Sequence, residues 1–353
     1  MRSLVALACA GVALVAPASD ALRSDRSSAS GATPRGWHED SGRRLIADWD
    51  PPDAFLVGHQ DLWRETTSAL LEVLPPPVLL LAAAPLQTAA AGIVALGLAH
   101  ESSWVRDYGP LQIRNRGRVL WLDADYYDQR SEDDAMPGRL GRLLRVKVER
   151  AHHRLEGGGI ISNGQGRCVM TRASVTRLDQ SEPADLAYRL GCTSLIVVPA
   201  LSGEQTGHVD QIVHFLRPDL AAVGSLGNGE QDREDATRLD AAASTLERTG
   251  ALRVVRVPIH RTSSGEFFSY VNVVDLADAL IVPDFRQVPE DVQAHAYRVL
   301  ERASGKRLVP VPADGVVLAG GGLHCMVLGL HLEPSSVGLR LIQRGESRPP
   351  SGD

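Results

Sequence analysis

Short apolar runs recur along this chain, and their spacing limits the folds open to it. Runs over 119–123, 194–199, 211–216, 220–224, 253–258, 279–283 and 307–311 predict strands. Helical patterns lie between some of them, over 60–74, 232–249 and 290–303. Two charged turns, one marked by Phe215, Arg217 and Asp219 and one over 273–278, separate apolar runs closely enough for hairpins. Strand–helix units mixed with hairpins predict an α/β chain with mixed sheets, not a plain doubly wound parallel sheet. No exact internal repeat occurs, which leaves a degenerate one open.

At 353 residues the chain can bury a sizeable core, and its 44% hydrophobic and 23% charged content excludes a mainly disordered protein. A formal net charge of -6 argues against a general nucleic-acid binder. Arg2, an apolar run from Leu4 to Ala16 and the small-x-small Ala16-Pro17-Ala18 predict a signal peptide over 1–18. A disordered lead-in over 19–44, one catalytic domain over 45–343 and a disordered tail over 344–353 follow. The expected location is secreted or periplasmic, with cytoplasmic as the alternative. A second uncharged stretch runs from Leu74 to Ala99, but Pro75, Pro76, Pro77 and Pro85 interrupt it. It reads as a strand over 78–83 and a helix near 86–98, so no membrane span is expected in the mature protein. Without Cys9, three cysteines remain: Cys168, Cys192 and Cys325. Cys168 and Cys192 could pair, or be small buried apolar residues, with Cys325 left free.

Four islands place reactive groups beside glycines: Trp104 to Pro110, Leu155 to Gly159 with Asn163 to Gly166, Thr206 to Asp210, and Gly320 to Cys325. Together they supply a thiol, Cys325, a histidine, His208, and three carboxylates, Asp107, Glu156 and Asp210. His208 and Asp210 are two apart, so in a strand both would face one cavity. Three carboxylates would raise the thiol pKa unless a bound cation offset them. A guanidinium, planar and with paired N–H donors, is the cation that suits carboxylates. Blander readings stand beside these. Asp107 could belong to a structural ion pair with Arg106. His208, Asp210 and His214 could be metal ligands, though no HExxH spacing supports it. His152 and His153 read as surface or support residues. No GxSxG, P-loop or GxGxxG occurs.

In these islands the sequence resembles the agmatine deiminase and bacterial, Porphyromonas-type peptidylarginine deiminase family. The matching pieces are WVRDYGP over 104–110, EGG with NGQG over 156–166, TGHVD over 206–210, SYVN over 269–272 and GGGLHC over 320–325. The stretch from Ala47 to Pro51 is similar to the start of the family's domain. The resemblance implies a five-bladed αβ propeller, the pentein fold of guanidine-modifying enzymes. It implies hydrolysis of a guanidinium to a ureido group and ammonia through a thiouronium on Cys325. By the same match His208 is the acid/base, Glu156 supports it, and Asp107 and Asp210 hold the guanidinium. Asn272 and Trp104 fall at substrate-binding positions. No metal or other cofactor is implied.

The implied substrate is peptidyl-arginine or a related arginine derivative. Tyr108, the Asp125-Tyr-Tyr-Asp128 stretch, Asp133-Asp134 and the run Met326 to Leu330 are more similar to the secreted peptidylarginine type. Glu156 is the form found in agmatine deiminases, so agmatine, giving N-carbamoylputrescine, is the alternative. An amidinotransferase using the same thiol, and a non-catalytic binder of arginine-like ligands, are the further readings.

Overall fold

A computed structural model describes residues 42–82, 92–178, 183–227 and 229–333, all within one compact unit. The expected signal peptide, most of the lead-in and the tail lie outside the described residues.

Among the described residues the strands form five separate sheets, each built on the same course. Two strands pair antiparallel, and the second then pairs parallel with a third reached through helix. In the first sheet the strands Leu111–Asn115, Arg118–Asp125 and Val148–Arg154 follow this course. Ile160–Ser162, Arg167–Thr171 and Ser194–Val198 repeat it in the second. The third uses Val213–Arg217, Leu220–Ser225 and Arg253–Arg261, and the fourth Val274–Asp275, Ala279–Asp284 and Arg307–Pro312. The fifth joins distant parts of the chain: Val327–Leu330 pairs antiparallel with Ala54–Gly58, which pairs parallel with Val78–Leu81. A degenerate repeat is therefore present, carried by strand order and not by residue identity.

Sequence patterning explains most of these elements. The Leu111–Asn115/Arg118–Asp125 hairpin turns at Arg116 and Gly117, both at positive φ (49° and 83°), as a tight hairpin turn matched to the strand twist requires. Helix Arg233–Glu247 buries Leu239, Ala242, Ala243 and Leu246, one face at helical spacing. Helix Glu290–Ser304 stops at Gly305, whose φ of 69° lets its N–H cap the Glu301 carbonyl. Trp121, Phe268 and Tyr270 are fully buried in the packing between sheets and helices. No helix among the described residues is long and apolar enough to cross a membrane.

Three expectations are corrected. The helix near 86–98 is contradicted at its C-terminal end, where Ile93–Leu96 is a strand parallel to Val78–Leu81; residues 86–91 lie outside the described residues. Four apolar residues, two of them β-branched, are too few for a helix but fill a sheet position. Arg43 and Arg44, expected in the lead-in, belong to the strand Arg43–Leu45, which pairs with Leu111–Asn115. His208 and Asp210 are not in a strand, because the ladder of the third sheet starts only at Val213 and a 3₁₀ turn, Val209–Gln211, comes first.

Candidate active site

The turn that leads into the first strand of each sheet carries a residue of the site. Val105–Tyr108 holds Asp107 ahead of Leu111, and Gly157–Gly159 follows Glu156 ahead of Ile160. Val209–Gln211 holds Asp210 with His208 at its N-cap. Asn272 precedes Val274, and Leu323–Met326 holds Cys325 ahead of Val327.

These turns bring the thiol, the imidazole and three carboxylates together. The Cys325 thiol lies 3.8 Å from Asp210 Oδ2 and receives the amides of Gln211 Nε2 at 3.5 Å and Asn272 Nδ2 at 3.7 Å. His208 has Glu156 Oε2 3.2 Å from Nε2 and Asp107 Oδ1 3.5 Å from Nδ1. The Gly158 N–H donates to Asp107 Oδ1 at 3.1 Å. A Cβ on Gly158 would sit 2.7 Å from Asp107 Oδ1, 2.7 Å from His208 Nδ1 and 3.1 Å from Asp210 Oδ2. A side chain there would crowd the carboxylates and the imidazole, so only glycine fits. Asp210 Oδ1 is buried without a hydrogen-bond partner, which is costly unless a donor arrives.

The charge states follow from this geometry. Burial disfavours the His208 imidazolium, but Asp107, Glu156 and Asp210 outweigh it and hold His208 up to about 10. Burial, with help from Asp210 and Glu156 and against the pull of His208, pushes Asp107 up to about 7. Burial also acts to raise Glu156, yet the His208 bond, the Tyr127 hydroxyl at 2.8 Å and Arg177 bring it below the ordinary range. Burial, then Asp210 and Asp107, drive the Cys325 thiol well above its ordinary value. Without a bound cationic ligand the Cys325 thiol stays protonated.

A cavity of about 310 Å³ opens onto Cys325, Asp107, Glu156 and His208, walled by Trp104, Tyr127 and Arg130 among others. The Trp104 ring packs so closely under Gly321 that a Cβ there would come within 2.4 Å of it. Asn272 is buried behind the thiol: its amide donates to the thiol and to the Asp210 carbonyl, and its Oδ1 accepts from the His324 N–H. Asn163 stands apart from the site, its Oδ1 capping the turn between the first two strands of the second sheet. Arg106 pairs at 2.8 Å with Asp48, not with Asp107. Cys168 and Cys192 form a disulfide and Cys325 is free. Two sets of side chains lie within metal-ligand reach, Asp107 with Glu156 and His208, and Asp48 with His214 and His324. Neither is the set His208, Asp210 and His214 considered from sequence.

Sequence reasoning gave no role to Gln211, Tyr127, Asp48 or His324. His324 sits inside the GGGLHC island and Asp48 inside the 47–51 stretch, so a signal was present for both. For Gln211 the only signal was adjacency to Asp210.

A thiol faced by an imidazolium and inward-turned carboxylates belongs to enzymes that attack a cationic C–N centre. Sequence comparison narrows this to one family: the model of Porphyromonas-type peptidyl-arginine deiminases matches residues 52–329, and the chain belongs to that family. A Vibrio parahaemolyticus protein provisionally named agmatine deiminase is 24% identical over 270 residues, spanning 64% of this chain and 74% of the relative. A similarly named protein of Yersinia pseudotuberculosis is 23% identical over 80% of this chain and 93% of its own length. The solved agmatine deiminase of C. jejuni superposes with a TM-score of 0.70 at 21% identity, covering 82% of this chain and 96% of that one. At that identity the structural match speaks for the mixed α/β fold alone.

Proposed function

We propose that this protein is a guanidine deiminase, with peptidyl-arginine or a related arginine derivative as its substrate. The observation that carries the reading is the cavity of about 310 Å³ onto which the Cys325 thiol, His208, Asp107 and Glu156 open together, with Asp210 beside the thiol. Asp107 and Asp210 would take the guanidinium N–H groups, and Trp104 would wall its stem. Glu156 would orient His208, and Asn272 would act from behind the thiol. The five sheets, with the same strand order and their five lead turns meeting at this site, support a five-bladed propeller.

Chemistry follows from charge. A cation about 4 Å from the thiolate contributes about 4 kcal/mol at an effective dielectric of 20, roughly a thousandfold in thiolate population. Substrate binding therefore releases the thiol proton to solvent. The thiolate adds to the guanidinium carbon, giving a neutral tetrahedral adduct. Protonated His208 donates to one nitrogen, the C–N bond breaks and ammonia leaves, with a cationic thiouronium on Cys325. Neutral His208 then takes a proton from water, and the hydroxide adds to the same carbon. Collapse breaks the C–S bond, restores the thiolate and, after a proton is lost to solvent, leaves the ureido product.

Arg130 in the cavity wall supports a substrate whose end remote from the guanidinium carries a carboxylate or carbonyl over agmatine, whose far end is a cation. Glu156 and the names of the curated relatives support agmatine as the second reading. Turnover of agmatine, free arginine and an arginine peptide, followed as ureido product and ammonia with Cys325→Ala as control, chooses between them. No turnover of any of the three by folded protein would overturn the deiminase reading. Export through residues 1–18 is the proposed location; the Cys168–Cys192 bridge suits an oxidising compartment.

A further inference from the structure

Asp210 uses its two oxygens differently. Oδ2 accepts from His324 Nδ1 at 2.9 Å, whereas Oδ1 has no protein partner. The other His324 nitrogen, Nε2, lies 3.3 Å from Asp48 Oδ1, and Arg106 holds Asp48 at 2.8 Å. The His324 main-chain N–H is fixed by Asn272 Oδ1 at 2.9 Å. Its ring stands edge-on to His214, whose Nε2 meets Asp275 at 2.5 Å, and Asp275 in turn meets Lys306. His324 and Asp210 are both at most 2% exposed. His324 does not border the catalytic cavity; it lines a separate inner one of about 50 Å³ together with Asp48, Arg106 and His331. Nδ1 donates to Asp210, and Nε2 faces Asp48 at ion-pair distance without hydrogen-bond geometry. Burial and Arg106 oppose the imidazolium charge, but Asp48 and Asp210 prevail and raise His324.

We propose that His324 is a positioning residue that clamps the Asp210 carboxylate through Oδ2, the oxygen beside Gly158 and the Cys325 thiol, and ties that clamp to Asp48 and Arg106. The inference rests on the deiminase reading for its substrate. Released from the clamp, the Asp210 carboxylate could rotate and present either oxygen, and binding would weaken more than the chemical step.

Two near-isosteres separate the clamp from simple packing. Asparagine places its amide nitrogen where Nδ1 sits, and glutamine places it near Nε2. His324→Asn therefore keeps the bond to Asp210 and loses Asp48; His324→Gln does the reverse. With an arginine peptide, KM is expected to rise about 10- to 100-fold in His324→Gln, the range of one charge-assisted hydrogen bond, and less than about fivefold in His324→Asn. Both should melt cooperatively. Equal KM values in two folded variants, or a loss confined to kcat, would overturn the proposal. If His324→Gln does not fold, His324→Asn decides alone: KM near wild type supports the clamp, and KM as high as in Asp210→Asn refutes it. A wild-type protein that turns over no guanidine would sink the deiminase reading instead. Arginine-induced thermal shifts of the same variants would then test the clamp, with loss in Gln but not Asn expected and equal shifts against it.

Discussion

Asp107 and His208 divide the pH axis between them. In the proposed reaction Asp107 takes the guanidinium only as a carboxylate, a state gained as pH rises through about 7. In the same reaction His208 protonates the leaving nitrogen only as an imidazolium, a state lost as pH rises through about 10. The acid side of kcat/KM against pH should therefore combine the Asp107 ionisation near 7 with loss of the Cys325 proton, and deprotonation of His208 should begin to lower activity near 10; these values belong to interacting groups. Asp107→Asn should make the acid limb less steep and lower kcat/KM by about a hundredfold or more, because an unpaired buried charge costs about 3 kcal/mol or more. An acid limb of unchanged steepness in Asp107→Asn would assign it to another group. Cys325→Ala should lose turnover by on the order of 10⁴-fold or more yet still bind arginine analogues by calorimetry. At this scale the sequence was informative where a residue type states its chemistry. Cys325, His208 and the three carboxylates do so beside their glycines. Gln211 and Tyr127 do not, because an amide or a phenol in a loop announces nothing until the fold turns it towards a thiol or a carboxylate.

The five lead turns position chemistry at the level of elements. Each is a short helical turn or bend ahead of a strand, so its side chains are displayed before the ladder constrains them. Gly158 shows the consequence. Its space is ringed by polar atoms of Asp107, His208 and Asp210, contributed by two other segments. Gly158→Ala should displace the buried Asp107 and His208 side chains, lowering kcat/KM by about tenfold or more and lowering the melting temperature as well; kinetics and a thermal melt check this together, and an unchanged kcat/KM would show that the two side chains are not held by this glycine. Strands such as Leu220–Ser225 and Ala279–Asp284 were legible because apolar runs ended at charged turns. The Val209–Gln211 turn was not, since His-Val-Asp alternates like a strand and only the missing ladder partner reveals otherwise. The Cys168–Cys192 bridge works on the second sheet: it ties the strand Arg167–Thr171 to the segment leading into its parallel partner across 24 residues. Closing a loop of that length contributes about 3 kcal/mol by the chain-entropy relation, so Cys168→Ala with Cys192→Ala should lower the unfolding free energy by about that much in urea.

Closure of the fifth sheet is a long-range property that no single run of sequence displays. The fifth sheet needs Val327–Leu330 from one end of the described chain and Ala54–Gly58 from the other. Asp53 fastens the join through its N–H to the Leu330 carbonyl at 2.8 Å and its carboxylate to the Leu332 N–H at 2.8 Å. Cys325 stands two residues before the closing strand, so the nucleophile is set only when the ends have met. Leu330 is fully buried, and Leu330→Ala should cost about 2–5 kcal/mol. If closure and folding are one event, labelling of Cys325 by a neutral thiol reagent and loss of tryptophan fluorescence will share one urea midpoint in both proteins, with Leu330→Ala moving the two together. Labelling that precedes the fluorescence change would mean that the fifth sheet opens while the other four remain folded, and that the site assembles after the fold.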